Sequence, residues 1–333
     1  MSLVKQTVTA ACIVTLTLGL TACAAGDNSG GGTEIGYSSP VLAQEAQQDT
    51  VFGLEAAAGQ LGWKTKIYDA GLSPDTQASN IQTMIDRRVS AIGAWSLDSG
   101  AVGGVYSSAG AAGIPVVGLN SDGTGVVSSV WWAANRCDPG GPLEQLATMF
   151  GAAKPGMKII VMGGPAVPSI RANTACFIAA ARMVGLDIIA SQDNSQDTSA
   201  NAAVLAQDLL TAHPDVEGFW SYNDASALGI SSAISSSGKT VASGSTAGIM
   251  VTGINGDAAA IDAVRQGRMT ATIDANSVAS GWATAVAIRD AMEGKPNKTY
   301  VVGATIVDST TIGNYIPPRE RTYSIDTLPV EIR

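Results

Sequence analysis

From Thr33 to about Ser309, short apolar runs alternate with segments of helical period, and this alternation restricts the fold more than any other feature of the chain. Parallel strands need a crossover of a dozen residues or more, usually a helix, so a repeated strand–helix order builds parallel sheets covered on both faces. The first run predicts strands at 33–37, 63–69, 91–95 and 114–120. Val51, Leu54, Ala58 and Leu61 share one face of its first helix, and Gly62 stands where a C-terminal cap belongs. Ser73 followed by Pro74 opens the second helix, and Gly113 stops a third that starts near Asp98. The rhythm restarts with a strand at 158–162 and a helix carrying Phe177 and Met183. Strands at 186–190, 216–222, 250–254, 269–273 and 301–307 follow, with helices at 202–210, 225–235, 258–265 and 278–292. Gly/Ser/Asp/Pro-rich stretches at 121–125 and 137–142 separate the two runs. The fold class is α/β, with two doubly wound parallel-sheet lobes. A length of 333 residues agrees with two domains of about 150 each.

The segment before this body has a different character. Lys5 precedes an apolar run from Val8 to Leu20, too short to span a bilayer, and Leu20-Thr21-Ala22-Cys23 resembles a bacterial lipoprotein signal. The resemblance implies removal of residues 1–22 and lipid on Cys23, with residues 23–32 as a glycine-rich flexible tether. Loss of Lys5 takes the net charge from -9 to -10. No polybasic stretch remains, so the membrane is reached through the lipid alone, and nucleic acid is excluded as a partner. Cys12 leaves with the signal, and Cys137 and Cys176 remain for an oxidising compartment. A disulfide between them is the expectation; two buried thiols are the alternative.

In open parallel sheets ligands bind beyond the carboxyl ends of the strands. The polar residues at those ends include Ser38, Ser39, Ser96, Asn120, Ser121, Asn223, Asp224, Asn255, Asp274 and Asn276, mostly groups that donate and accept hydrogen bonds without charge. Such a set suits a neutral, hydroxyl-rich ligand. For Asp224 or Asn255 alone, capping the next helix explains the residue equally well. Trp95, at a strand end, and Trp131-Trp132, near the boundary between the runs, are candidate walls for a sugar face, whereas Trp63, Trp220 and Trp282 suit core positions.

Other chemistries fail on their residues. Gly238-Lys239-Thr240 offers the tail of a phosphate loop, but position 233 is Ala and the stretch follows a helix instead of opening one. Gly123-Thr124-Gly125-Val126-Val127-Ser128 misses the last glycine of a dinucleotide fingerprint. His213 is the one histidine, and with Cys137 and Cys176 it gives neither a triad nor zinc-ligand spacing. A hydrolase would want a G-x-S-x-G elbow, which is missing. Neither cofactor, metal nor catalytic step is expected.

Residues 209–229, reading LLTAHPDV into YNDASALG, resemble the type I periplasmic binding proteins of the ribose-binding kind. Gly253-Ile254-Asn255-Gly256, the run Gly267 to Ile273 and Asn80 to Ile85 extend the resemblance over most of the chain. It implies two lobes joined by a three-strand hinge with crossings near Ala133, Ala275 and Ala304, residues 33–133 plus 276–304 forming one lobe and 134–275 plus 305–333 the other. The implied function is an extracytoplasmic, lipid-anchored, monomeric receptor that closes on a monosaccharide or sugar alcohol and delivers it to an ABC permease. A sensor reporting to a signalling partner would use the same clamp. The family's cleft arginine falls on Arg171 and its Asn-Asp pair on Asn223 and Asp224. Asn120 and Asn255 replace aspartates, and Gln44-Glu45-Ala46-Gln47 replaces an aromatic pair. The expected ligand contacts are therefore Ser39, Gln44, Gln47, Trp95, Asn120, Trp132, Arg171, Asn223, Asn255 and Asn276.

Overall fold

The computed structural model describes residues 32–333 together with Ser2. The signal at 1–22, Cys23 and the tether up to residue 31 lie outside the described residues. The chain runs β1 (Glu34–Ser39), α1 (Glu45–Gln60), β2 (Lys64–Asp69), α2 (Pro74–Asp86), β3 (Ala91–Ala94), α3 (Ser99–Ala111), β4 (Val116–Leu119) and β5 (Val126–Trp132). It continues through α4 (Pro142–Ala153), β6 (Lys158–Gly163), α5 (Pro168–Met183), β7 (Asp187–Asp193), α6 (Ser199–Ala212), β8 (Gly218–Ser221), α7 (Asp224–Ser236), β9 (Met250–Asn255), α8 (Ala258–Arg265) and β10 (Ala271–Asp274). Then come α9 (Ser277–Met292), β11 (Thr299–Val302), β12 (Thr305–Asp308) and β13 (Val330–Ile332).

Among the described residues the strands form a seven-stranded sheet, β13-β11-β5-β4-β3-β1-β2, and a six-stranded sheet, β12-β10-β9-β8-β6-β7. All pairings are parallel except those of the edge strands β12 and β13. Local chemistry sets the helix starts. Ser73 Oγ accepts from the Thr76 amide at 3.2 Å, and Asp98 Oδ1 accepts from the amides of Gly100 and Ala101 at 2.8 and 3.0 Å. In the second lobe Phe177 stacks on Trp220 with centroids 4.5 Å apart, and both rings are wholly buried. Helices α1 and α9 touch backbone to backbone. A Cβ on Gly53 would lie 2.0 Å from the Val278 carbonyl oxygen, and one on Gly281 would lie 2.0 Å from that of Thr50. This contact fixes the N-terminal end of α1, which carries Gln44 and Gln47 to the strand ends.

The chain crosses between sheets after β5, after β10 and between β11 and β12. The single strand expected at 301–307 is thus two strands of different sheets, parted at Gly303 and Ala304. Two elements, β5 and α4, have no counterpart in the sequence reading. The stretch 305–333, expected with the second lobe throughout, crosses a fourth time and returns to the first sheet as β13. On the way Arg319 pairs with Asp49 of α1 at 2.6 Å, Arg321 pairs with the buried Asp274, and Tyr323 Oη donates to Asn276 Oδ1 at 2.6 Å. Cys137 and Cys176 form a disulfide, Cα atoms 5.1 Å apart, tying the first crossing to α5. No helix among the described residues is long and apolar enough to cross a membrane.

Candidate binding cleft

The carboxyl ends of both sheets converge on a cavity of about 70 Å³. From the first sheet it receives Gln44 and Gln47 at the start of α1, Trp95 after β3, Trp132 at the end of β5 and Asn135 in the first crossing. From the second it receives Asn173 of α5, Asp197 after β7, Tyr222 and Asn223 after β8, and Asn255 at the end of β9. Val41, Leu72, Val167, Ile170 and Ile254 fill the intervals, and Ala70 and Leu97 meet Val167 to close an apolar rim between the lobes.

The aromatic wall is built by position. Trp95 and Trp132 meet edge to face with centroids 5.0 Å apart, and the Trp95 indole nitrogen donates across the lobes to Ser169 Oγ at 2.9 Å. Alternation along β5 turns the neighbouring Trp131 to the other face, where Arg136 lies over its ring. Asn120 does not line the cavity. Its backbone is left-handed, φ 46°, and its Oδ1 accepts from the Trp132 amide at 2.8 Å, so it orients the wall from behind.

Asn223 does two jobs at once. Its Oδ1 caps α7 by accepting from the Ser226 amide at 2.9 Å, and its Nδ2 donates to Asp197 Oδ1 at 2.8 Å. Asp197 also accepts from Gln44 Nε2 at 2.9 Å, across the lobes, and from the Tyr222 hydroxyl. Burial pushes Asp197 up to about 6, against the opposing hydrogen bonds from Gln44 and Asn223. Asp224 faces away from the cavity. One of its oxygens takes the amides of Gly256 and Asp257 at 2.8 and 2.9 Å and the other takes Thr272 Oγ1 at 2.6 Å, which shapes the turn that presents Asn255. Burial pushes Asp224 up to about 7.

Six of the ten residues expected at the ligand line the cavity: Gln44, Gln47, Trp95, Trp132, Asn223 and Asn255. Besides Asn120, three others lie outside it. Ser39 is buried in β1, and Pro40 and Val41 take its place at the wall. Asn276 is buried at the second crossing under Tyr323. Arg171 is exposed, because Ile170 and Asn173 hold the face of α5 that meets the cavity and Arg171 lies two positions from Asn173, roughly opposite it on the helix. Asn173, Asn135, Asp197 and Tyr222 were missed. Asp197 sits in a loop at φ 55°, a position that helical and strand periodicity do not address. For Asn173 a signal existed in the sequence, since Asn173, Cys176 and Phe177 stand at the spacing of one helix face.

Residues 35–296 match the periplasmic binding protein domain family. The ribose import binding protein RbsB of Bacillus subtilis is 30% identical over 297 residues, covering 85% of this chain and 92% of that protein. The xylitol-binding protein of Mycolicibacterium smegmatis is 24% identical, covering 93% of this chain and 88% of that protein. Among solved structures, an ABC transporter periplasmic solute binding protein from Actinobacillus succinogenes with bound D-allose superposes with a TM-score of 0.74 at 23% identity, over 85% of this chain and all of that one.

Proposed function

The chain belongs to the periplasmic binding protein domain family, and on that premise we propose that it captures a monosaccharide or sugar alcohol between two closing lobes and hands it, outside the cytoplasm, to the permease of an ABC importer. In this reading it is a monomeric receptor without a catalytic step. The observation that carries the reading is the cavity itself, in which amides from both lobes and an indole pair face one another. Amides supply the paired donors and acceptors that ring hydroxyls require, and an indole face suits the apolar face of a sugar. The ligand names of relatives, ribose and xylitol, and of the D-allose-bound structure support the class.

Gln44, Gln47, Trp95, Trp132, Asn173, Asp197, Asn223 and Asn255 contact the ligand in this proposal. The closing bodies are residues 33–133, 276–304 and β13 on one side and residues 134–275 with β12 on the other. Closure follows when the ligand binds the closed state better than the open one, and contacts from both lobes supply that difference. Lipid on Cys23 holds the receptor at the membrane; Cys23→Ala then moves it to the soluble fraction, and unchanged membrane association refutes the anchor. The function is tested by thermal shift with ribose, xylitol and D-allose. A ligand at 100 times its Kd adds about 2.7 kcal/mol of stability. Silence towards all three with a response to amino acids sinks the proposal.

A further inference from the structure

Among the described residues the cavity wall carries one acidic side chain, Asp197, and no Lys, Arg or His. The nearby cations are engaged elsewhere or turned away: Arg136, next to Asn135 in the first crossing, pairs with Asp138 at 2.9 Å, Arg319 with Asp49 and Arg321 with Asp274, and Arg171 is exposed. Behind Asn223 and Asn255 lies a second carboxylate, Asp224, bonded to Thr272 and two amides and to no cation. The charge carried by the wall itself is therefore negative.

Three buried polar atoms on the wall have no partner among the described residues. They are Gln47 Oε1, Asn173 Oδ1 and Trp132 Nε1, on side chains that are 5%, 2% and 3% exposed. Two of the three are acceptors, and they come from opposite lobes. A buried polar atom without a partner is costly, so each is matched when a ligand brings the complementary group. A hydroxyl can donate to Gln47 or Asn173 and still accept from Trp132. A carboxylate or phosphate only accepts, so where it stands in for a hydroxyl beside Gln47 or Asn173 it leaves that acceptor unmatched, and it faces the Asp197 charge as well.

Resting on the function proposed above, we propose that Asp197, together with the acceptors of Gln47 and Asn173, makes this cleft discriminate by charge. It takes uncharged polyhydroxylated ligands and rejects their acid and phosphorylated forms. Two like charges about 6 Å apart at an effective dielectric of about 20 repel strongly enough for a discrimination of about 100-fold.

The test is calorimetric titration at about pH 8, where Asp197, pushed up to about 6, is ionised. Ribose, xylitol and D-allose are each compared with the matching acid, ribonate, xylonate and allonate, and ribose is compared with ribose 5-phosphate. The expected result is binding of at least one neutral compound, with its acid weaker by about 100-fold. In Asp197→Asn that ratio shrinks by about tenfold or more, and in Gln47→Glu, which adds a charge to the opposite wall, it widens by a similar factor. Ratios within one protein are compared, so a general change in affinity cancels. An acid that binds within about tenfold of its neutral partner overturns the charge filter while the receptor function stands. Ratios unchanged in both variants remove Asp197 from the filter. Silence towards every neutral compound overturns the receptor reading, and the filter falls with it.

Discussion

Gln44 and Asp197 stand on opposite lobes and meet across the cavity, the Gln44 Nε2 donating to Asp197 Oδ2 at 2.9 Å. The contact joins the start of α1 to the β7–α6 loop and buries the carboxylate.

The pH dependence of that contact has a definite sign. Asp197 ionises near 3.8 in the unfolded chain and near 6 when folded, so the folded state holds the proton more tightly. Stability therefore falls as pH rises from about 4 to about 6 and is flat beyond, as far as this group is concerned. Asp224 acts in the same sense, so the difference between wild type and Asp197→Asn isolates Asp197. Denaturant midpoints measured across this window should converge or cross as pH falls, with wild type gaining relative to the variant. Parallel curves would show that Asp197 is solvated like an ordinary aspartate.

Arg171 and Asn173 separate on ligand affinity. Asn173→Ala should bind the best sugar or polyol about tenfold to 100-fold more weakly, the effect of one buried hydrogen-bonding group. Arg171→Ala should stay within about twofold, as expected for an exposed side chain away from the cavity. The reverse order by calorimetry would return Arg171 to the cleft.

The disulfide contributes to stability through a loop of 39 positions. Replacing Cys137 and Cys176 together by Ala should cost roughly 3 to 4 kcal/mol in urea unfolding, the loop-entropy expectation. Asn173, one turn before Cys176, donates to the Ala134 carbonyl at 2.6 Å and to Asn135 Oδ1 at 2.9 Å, so the same pair of variants should also weaken ligand binding. Lost stability with unchanged affinity would limit the bridge to a structural role.

Asp290 near the end of α9 behaves oppositely to Asp197. Burial opposes its ionisation, but hydrogen bonds from Lys298 at 2.7 Å, Tyr300 at 2.8 Å and Arg289 at 3.1 Å outweigh it and hold the carboxyl at about 2. Its stabilisation is present above the unfolded value of about 4 and is lost as pH falls towards 2. Asp290→Asn should be less stable by about 1 to 3 kcal/mol at neutral pH, with the gap closing in acid. A gap that persists at pH 2 would point to packing instead.

The strand–helix order was legible because each unit is punctuated locally, by Ser73-Pro74, Asp98 and Gly113. What escaped was set by partners remote in sequence. Val301 and Val307 read as one strand because apolar runs carry no information on which sheet they join, and only the crossing at Gly303 divides them. Of the six cavity residues that were legible, Trp95, Asn223 and Asn255 follow predicted strands, a position the fold class fixes, whereas Gln44 and Gln47 rest on the family resemblance and Trp132 on its place near the boundary between the runs. Asn173 and Asp197 follow from helix phase and loop geometry, and Arg171 was misplaced because the resemblance put the family's cleft arginine on it, whereas its helix phase turns it away from the cavity.

The fourth crossing bears on the order in which the protein matures. Strand β11 lies between β5 and β13 in the first sheet, yet β13 emerges from the ribosome after every strand of the second. The first lobe thus leaves synthesis with its β11 edge open, while the second already has its full complement of strands once β12 has appeared. A nascent chain halted between residues 308 and 318 would expose that edge and leave Asp49 and Asp274 without Arg319 and Arg321. Completion of the binding machine is therefore a late event, and exported chains remain vulnerable to edge pairing with one another until β13 docks.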